Sequence, residues 1–152
     1  MLKTGDKAPE FTLISDSGEK INLKDYKGKK VILYFYPKDN TSGCTKEACD
    51  FRDSIKIFSR KNTVIIGVSK DSTESHGKFK SKYGLPFTLL SDESADVMKK
   101  YGVWEEKSMY GKKYMGTERT TFIINEKGII ESVFNKVQVN GHIQELINSI
   151  NA

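Results

Sequence analysis

The stretch that decides the fold is Val31-Ile32-Leu33-Tyr34-Phe35-Tyr36, a continuous run of apolar and aromatic residues. A strand without polar alternation is buried on both faces, so this run predicts a central strand of a sheet. Val64-Ile65-Ile66-Gly67-Val68 has the same character. Residues 42–60, between the two runs, are predicted to form a helix. A strand, a helix and a strand in this order predict a parallel pair joined by a crossover.

Further elements flank this unit on both sides. Toward the N-terminus, strands at 11–14 and 21–23 flank the turn Asp16-Ser17-Gly18 and predict a hairpin. Toward the C-terminus, the predicted elements are a helix at 73–83, a segment at 87–90, a helix at 95–101, a hairpin at 120–125 and 129–134, and a helix at 141–150. The order predicts an α/β protein with the thioredoxin-like fold: a central mixed sheet flanked by helices, with an added N-terminal β-hairpin. We expect a single domain over residues 1–152.

Composition and charge exclude several classes of protein. Of the 152 residues, 37% are hydrophobic and 30% charged, which is typical of a globular domain and not of a disordered chain. The longest apolar run is too short to cross a membrane, and residues 1–6 hold no apolar signal core, so we expect a cytoplasmic protein. The net charge of +5 comes from scattered lysines. They favour solvated faces over a nucleic-acid site, and could help to attract an acidic protein partner.

Cys44 lies where the central strand leads into the helix, at the sheet edge where α/β proteins bind ligands. It falls in the first helical turn, where free N–H groups and the helix dipole favour a thiolate, the nucleophilic form of cysteine. It also begins an apolar stripe at helical spacing. The stripe consists of Cys44, Ala48, Phe51, Ile55 and Phe58. A small buried core residue is therefore the alternative interpretation of Cys44.

Cys49 lies off that stripe, and by itself it has the simpler interpretation of an inert surface thiol. Two cysteines in a chain expected to be cytoplasmic nevertheless indicate chemistry more than a structural staple. Five residues along an α-helix place two Cα atoms about 8.6 Å apart, whereas a disulfide requires less than about 7 Å. Cys44 and Cys49 therefore cannot bond while the helix is intact.

The remaining candidate features have simple interpretations. His76 and His142 are far apart in sequence and lack the spacing of a zinc site, so both are interpreted as surface residues. We expect no metal and no cofactor. Residues 104–116, rich in lysine and tyrosine, are interpreted as a solvated loop, with a pocket lining or a partner contact as alternatives.

The residues around Cys44 resemble the active-site motif of the peroxiredoxins. The pattern Pro-x-x-x-Thr-x-x-Cys is present as Pro37, Thr41 and Cys44. Cys49, five residues later, resembles the bacterioferritin-comigratory, or peroxiredoxin Q, subgroup. Ser42 stands where relatives often have proline, and neither residue supplies a catalytic group there. The likeness covers nearly the whole chain, and further matching segments are residues 5–11, 67–69 and 119–124.

The resemblance implies a role for each matching residue. Cys44 would be the peroxidatic cysteine, whose thiolate attacks the peroxide O–O bond and becomes a sulfenic acid. Cys49 would be the resolving cysteine, which condenses with the sulfenic acid once the first helical turns unwind. Thr41 would hydrogen-bond the peroxide and the thiolate, with a helix cap as an alternative or additional role. Arg119 would hold the thiolate and polarise the peroxide, its alternative being a solvated arginine at a strand end.

Two further residues would support this site. Pro37 would shield the pocket, its alternative being a plain turn. Glu47 would orient Arg119, its alternative being a solvated helix carboxylate. The family also implies a hydroperoxide substrate and recycling by thioredoxin or a similar dithiol reductant. We expect a monomer or weak homodimer that binds neither nucleic acid nor membrane.

Two other functions stay open at this level. A disulfide oxidoreductase of the thioredoxin kind normally has Cys-x-x-Cys, whereas four residues separate Cys44 and Cys49 here. A non-catalytic holdase or binding module on the same fold would present a broad exposed apolar patch. Peroxide consumption by the purified protein with a thioredoxin system distinguishes a peroxidase from both.

Overall fold

Seven strands form one mixed sheet in the computed structural model, which describes residues 2–151. In chain order the elements are β1 (Thr12–Ser15), β2 (Lys20–Asn22), a 3₁₀ helix (Leu23–Tyr26), β3 (Lys30–Phe35), α1 (Ser42–Asp53), α2 (Ile55–Arg60), β4 (Thr63–Ser69), α3 (Thr73–Tyr83), β5 (Thr88–Ser91), α4 (Asp96–Lys100), β6 (Trp104–Met109), β7 (Lys112–Thr117), β8 (Thr120–Ile124), β9 (Ile130–Phe134) and α5 (His142–Asn151).

The sheet has the strand order β2-β1-β5-β4-β3-β8-β9. The neighbours β3 and β4 pair in parallel, as do β4 and β5, and the other pairs are antiparallel. The predicted mixed sheet, its central parallel pair and both predicted hairpins are therefore confirmed. A single domain over 1–152 stays a prediction, and its two terminal residues lie outside the described residues.

Side chains of β3 alternate between two buried layers, which explains the unbroken apolar run. Ile32 and Tyr34 pack in a core cluster with α1, α2, α3 and α5. Val31, Leu33 and Phe35 pack in a second cluster with α4 and the N-terminal segment. Both faces of β3 are covered by these two core clusters. A functional site on this strand can therefore form only in the loop that leaves its C-terminal end.

Gly67 of β4 allows α1 to pack tightly on the sheet. It pairs with Tyr34 in the parallel register, and a Cβ atom at position 67 would lie 2.9 Å from the Tyr34 ring. The ring stacks on Phe51 of α1, with centroids 4.5 Å apart. A side chain at position 67 would displace the ring and, with it, the helix that carries both cysteines.

The helix predicted over residues 42–60 is wrong in one respect, because two helices cover that span. Ser54 separates α1 from α2, with a ψ angle of 8° and an N–H group that donates to the Phe51 carbonyl three residues back. Serine is a weak helix former, and Phe58 of α2 is buried despite the break. None of the helices that the structure describes is long and apolar enough to span a bilayer.

The loop predicted at 104–116 is also wrong, because β6 and β7 form an antiparallel hairpin there. Tyr110 and Gly111 form its two-residue turn, and both have positive φ angles, as a primed hairpin turn requires. Most of the hairpin is exposed, and Tyr110 is 97% exposed. Charged residues along both strands, Glu105, Glu106 and Lys107 in β6 and Lys112 and Lys113 in β7, hide the alternation that would have revealed it.

Candidate active site

Cys44 is the third residue of α1, which begins just after the loop from β3. Its side chain is buried, with 2% of its surface exposed. The first hydrogen bond of the helix joins the Thr45 N–H to the Thr41 carbonyl at 2.8 Å. The N–H groups before Thr45 lie at the open end of the helix, where they stabilise a negative charge such as a thiolate.

Arg119 lies between β7 and β8, next to Thr120, which pairs with Phe35 at the end of β3, and from there it contacts Cys44. Its Nη2 donates to Cys44 Sγ at 3.3 Å, and its Nη1 donates to Glu47 Oε1 at 2.6 Å. Burial alone would lower the pKa of Arg119, but Glu47 and Cys44 outweigh it, and the pKa is raised. A permanent positive charge therefore lies against the sulfur.

Glu47, one turn after Cys44, is 1% exposed and holds Arg119 in place. Burial raises the pKa of Glu47 to about 7, against the opposing effect of Arg119. Its second oxygen, Oε2, has no hydrogen-bond partner among the described residues, which adds to the cost of ionising it. The alternative of a solvated helix carboxylate is therefore wrong for Glu47.

Glu47→Gln tests this buried carboxylate through the pH dependence of stability. Because the folded-state pKa of about 7 exceeds the ordinary 4.5, the folded protein binds this proton more tightly than the unfolded chain. The resulting stability is full below pH 4.5 and is lost as the pH rises through 7. Relative to the Gln variant, the wild type should lose on the order of 3 kcal/mol of unfolding free energy across that range.

Urea unfolding of both proteins from acid to mildly alkaline pH measures this difference. Glu93→Gln, which removes one exposed negative charge, is the matched control. A gap between wild type and Glu47→Gln that stays constant with pH would contradict the raised pKa.

Gly43 gives the guanidinium the space that it occupies. A Cβ atom at position 43 would lie 3.3 Å from Arg119 Nη2, closer than a side chain comfortably approaches. Glycine at position 43 therefore leaves room for the Arg119 side chain beside Cys44.

The structure places Thr41 and Pro37 in the same loop but gives them different surroundings. Thr41 occupies the N-cap position of α1, yet its side chain makes no capping bond. Its hydroxyl donates to the Lys38 carbonyl at 2.8 Å. Donation to a peroxide or a thiolate therefore requires the hydroxyl to rotate away from Lys38. Pro37 is exposed, at the surface of the loop.

Cys49 is half-buried, and both cysteines are free thiols. The helix α1 is continuous over Cys44 and Cys49. An unbroken helix keeps their Cα atoms about 8.6 Å apart, too far for a disulfide. The structure is thus that of a reduced site with the helix folded.

Both histidines are buried, so their prediction as surface residues is wrong. His76 lies against Asp39 of the Cys44 loop, and its spacing to Phe79 and Tyr83 along α3 was the signal that it faces the core. His142 bonds Thr121 and Glu145. Burial lowers the pKa of His142, although Glu145 opposes it.

Comparisons with known proteins agree with this geometry. Residues 4–133 match the AhpC/TSA family. A putative peroxiredoxin bcp of Coxiella burnetii is 55% identical over 149 residues, covering 98% of this chain and 99% of that protein. Peroxiredoxin Bcp of Bacillus subtilis is 50% identical over 149 residues, covering 98% and 95%.

Two solved structures have the same fold. A cysteine-to-serine mutant of PrxQ from Xylella fastidiosa matches with a TM-score of 0.94 at 35% identity, covering 99% of this chain and 96% of that one. The bacterioferritin comigratory protein of Xanthomonas campestris, described for its alkyl peroxide reduction activity, matches with a TM-score of 0.89 at 35% identity, covering 93% and 90%. The predicted thioredoxin-like fold is confirmed.

Proposed function

The chain belongs to the AhpC/TSA family as a thiol-dependent peroxidase of the Bcp, or peroxiredoxin Q, group, and we propose that Cys44 is its peroxidatic cysteine and Cys49 its resolving cysteine. One observation carries the assignment of Cys44. Its sulfur lies 3.3 Å from the Arg119 guanidinium at the open end of α1, so two independent sources of positive potential favour its thiolate.

In the first step, the Cys44 thiolate attacks one oxygen of the hydroperoxide. The S–O bond forms as the O–O bond breaks, and the departing oxygen takes up a proton to leave as an alcohol or water. Arg119 donates hydrogen bonds where negative charge moves from sulfur to oxygen. Glu47 keeps the guanidinium in that position, and Thr41 offers its hydroxyl to the peroxide after turning from Lys38.

In the second step, the Cys49 thiolate attacks the sulfenic sulfur of Cys44. The S–S bond forms, the S–O bond breaks, and the hydroxide released becomes water on protonation. Because the intact helix separates the two residues, the first turns of α1 unwind before this step. A dithiol reductant then returns both cysteines to thiols through a mixed disulfide.

The finer assignments are part of the same proposal. The substrates are hydrogen peroxide and organic hydroperoxides, in line with the alkyl peroxide reduction described for the Xanthomonas campestris relative. The reductant is thioredoxin or a protein of similar chemistry. Pro37, an exposed residue of the same loop, would shield the site where the peroxide binds. A cytoplasmic location and a monomeric or weakly dimeric state remain predictions.

Steady-state turnover tests the proposed function. The purified chain is supplied with thioredoxin, thioredoxin reductase and NADPH, and receives hydrogen peroxide or an organic hydroperoxide. We expect NADPH oxidation that requires both the peroxide and the chain. Reduction of a protein disulfide substrate without any consumption of peroxide would instead indicate a disulfide oxidoreductase.

A further inference from the structure

The loop that leads to Cys44 is fastened at Asp39, a residue 6% exposed. The Asp39 carboxylate accepts hydrogen bonds from Tyr36 Oη at 2.5 Å and from Ser75 Oγ at 2.8 Å. Its Oδ2 also lies 2.7 Å from Nδ1 of the fully buried His76. One loop carboxylate thus joins the end of β3 to two consecutive residues of α3.

The backbone of Asp39 is held as well. Its N–H donates to Asp71 Oδ2 at 2.7 Å, and the same oxygen accepts from Ser69 Oγ at 2.6 Å. Ser69 is the last residue of β4. The loop is therefore bound to the ends of both central strands, through its side chain and its main chain.

The partners of the two ring nitrogens of His76 restrict where the hydrogens of this network can lie. Its Nε2 lies 2.9 Å from the Leu90 carbonyl oxygen, which can only accept, so Nε2 carries a hydrogen. Its Nδ1 faces the Asp39 carboxylate, and a hydrogen must lie between them, whether it belongs to His76 or to Asp39. In either form every polar atom of His76 is satisfied, which a buried polar network needs to be rigid.

The ligand-type atoms of Asp39, Asp71 and His76 all lie within 4.8 Å of one another. The atoms that meet there already form the hydrogen bonds described above, across three separate parts of the fold. These side chains therefore connect separate elements of the protein through hydrogen bonds.

We propose that Tyr36, Asp39, Asp71, Ser75 and His76 form a clamp, the Asp39 clamp, that positions the Cys44 loop for attack on the peroxide. Asp39 lies two residues before Thr41 and five before Cys44. Holding Asp39 in place determines where the first turn of α1 begins. The position of that turn determines the distance from Cys44 Sγ to the Arg119 guanidinium. Asp39 and His76 are positioning residues, since neither touches the sulfur.

The clamp also sets how far the helix can unwind. It holds residue 39 while Cys44 moves toward Cys49, so the motion is confined to the chain beyond it. The clamp therefore favours the folded, peroxide-reactive state and does not assist disulfide formation. This inference rests on the proposed peroxidase function and adds the element that positions its reactive loop.

Asp39→Ala and Asp39→Asn separate positioning from folding. The alanine variant loses the bonds to Tyr36, Ser75 and His76. Asparagine keeps the shape and can still pair with all three, because its oxygen accepts from Tyr36 and its NH2 group, in place of the second carboxylate oxygen, can donate to Ser75 Oγ and His76 Nδ1. Asp39→Ala should lower kcat/KM for hydrogen peroxide by about 10- to 100-fold, the effect expected of a reacting group misplaced by about 1 Å. Asp39→Asn should stay within about threefold of the wild type, since a hydrogen-bond difference of about 0.6 kcal/mol corresponds to that factor.

A second readout distinguishes the clamp from a general loss of stability. Disulfide formation from the sulfenic acid, followed by stopped flow, should be no slower in Asp39→Ala than in the wild type. Amides of residues 38–43 in the reduced protein should exchange faster. Ile130→Ala, a buried substitution in the other core cluster, is the matched control: it loses stability while kcat/KM and loop exchange are unchanged.

If Asp39→Ala does not fold, Ser75→Ala carries the test. It removes one clamp bond from a partly exposed residue, and should lower kcat/KM by about three- to tenfold. An inactive wild type in this assay would refute the proposed function itself. An active wild type, with kcat/KM and loop exchange unchanged in the folded clamp variants, would overturn the clamp.

Discussion

Cys44→Ser is expected to abolish peroxide reduction, with a fall in rate of at least about a thousandfold. The hydroxyl of serine is not ionised near neutral pH, and the side chain that bonds Cys44 Sγ is Arg119, which can only donate and cannot take the hydroxyl proton. The substitution keeps the size of the side chain, and the packing of α1 against the sheet should be retained. The loss would therefore be chemical and not structural.

Single-turnover consumption of hydrogen peroxide, with equal concentrations of protein and peroxide, measures this effect directly. Urea unfolding verifies the fold of the variant. Cys49→Ser is the matched control, because it makes the same substitution five residues along the same helix and should leave the first turnover intact. Residual single-turnover activity within tenfold of the wild type would mean that another nucleophile does the work.

The order of elements could be predicted because each carries a local signal. Apart from the helix divided at Ser54 and the hairpin read as a loop, every predicted element lies within one residue of its observed bounds. The apolar run of β3 and the turn Glu126-Lys127-Gly128 before β9 are signals of this kind. The division at Ser54 carries none, because the apolar spacing from Phe51 through Ile55 to Phe58 continues across it as in an unbroken helix.

The site could be predicted only in part, for the same physical reason. The position of Cys44 at a helix start is local, and so is its spacing to Cys49. Arg119 is 75 residues away from Cys44 along the chain, and its assignment came from the resemblance alone. The recognised family is confirmed by the comparisons, while the roles of individual residues remain proposals.

Asp39 and His76 could not be found in this way. Asp39 looks like an ordinary polar residue of a loop, and His76 like a polar residue of a helix rich in lysine and serine. What makes them unusual is a contact across 37 positions of sequence. The helical spacing of His76 to Phe79 indicated burial, but burial does not name the partner. Polar groups that meet in a core have no signature until the fold brings them together.

Cys49→Ser should allow one round of peroxide reduction and then stop turnover with thioredoxin, lowering its steady-state rate by about 100-fold or more. The sulfenic acid on Cys44 forms as before, since Cys49 takes no part in the first step. Without an internal thiol it persists, and excess peroxide converts it to the sulfinic acid. An added small dithiol should restore turnover by resolving the sulfenic acid directly.

Mass spectrometry after one equivalent of peroxide, and after an excess, identifies the sulfenic and sulfinic forms. The wild type treated in the same way should instead lose two hydrogens and form an internal disulfide. A variant that turns over normally with thioredoxin would show that Cys49 is not the obligatory resolving residue.

The same disulfide requires a conformational change that the structure makes specific. In the reduced protein, Cys44 is packed in the core cluster beneath α1 and bonded to Arg119, and a disulfide removes both interactions. Resistance to unwinding is low at this end, because Gly43 and Thr45 are weak helix formers and the first turn lacks internal acceptors for its N–H groups. Because only the reduced form keeps the packing of Cys44 and its bond to Arg119, that form should be the more stable one. A stable reduced form makes the disulfide easier to reduce, as recycling requires. Hydrogen exchange should show residues 45–49 losing protection on oxidation, because their N–H groups are the first to bond within α1, while Asp39, held by its clamp, keeps it. Equal protection of residues 45–49 in the two redox states would refute the unwinding of α1.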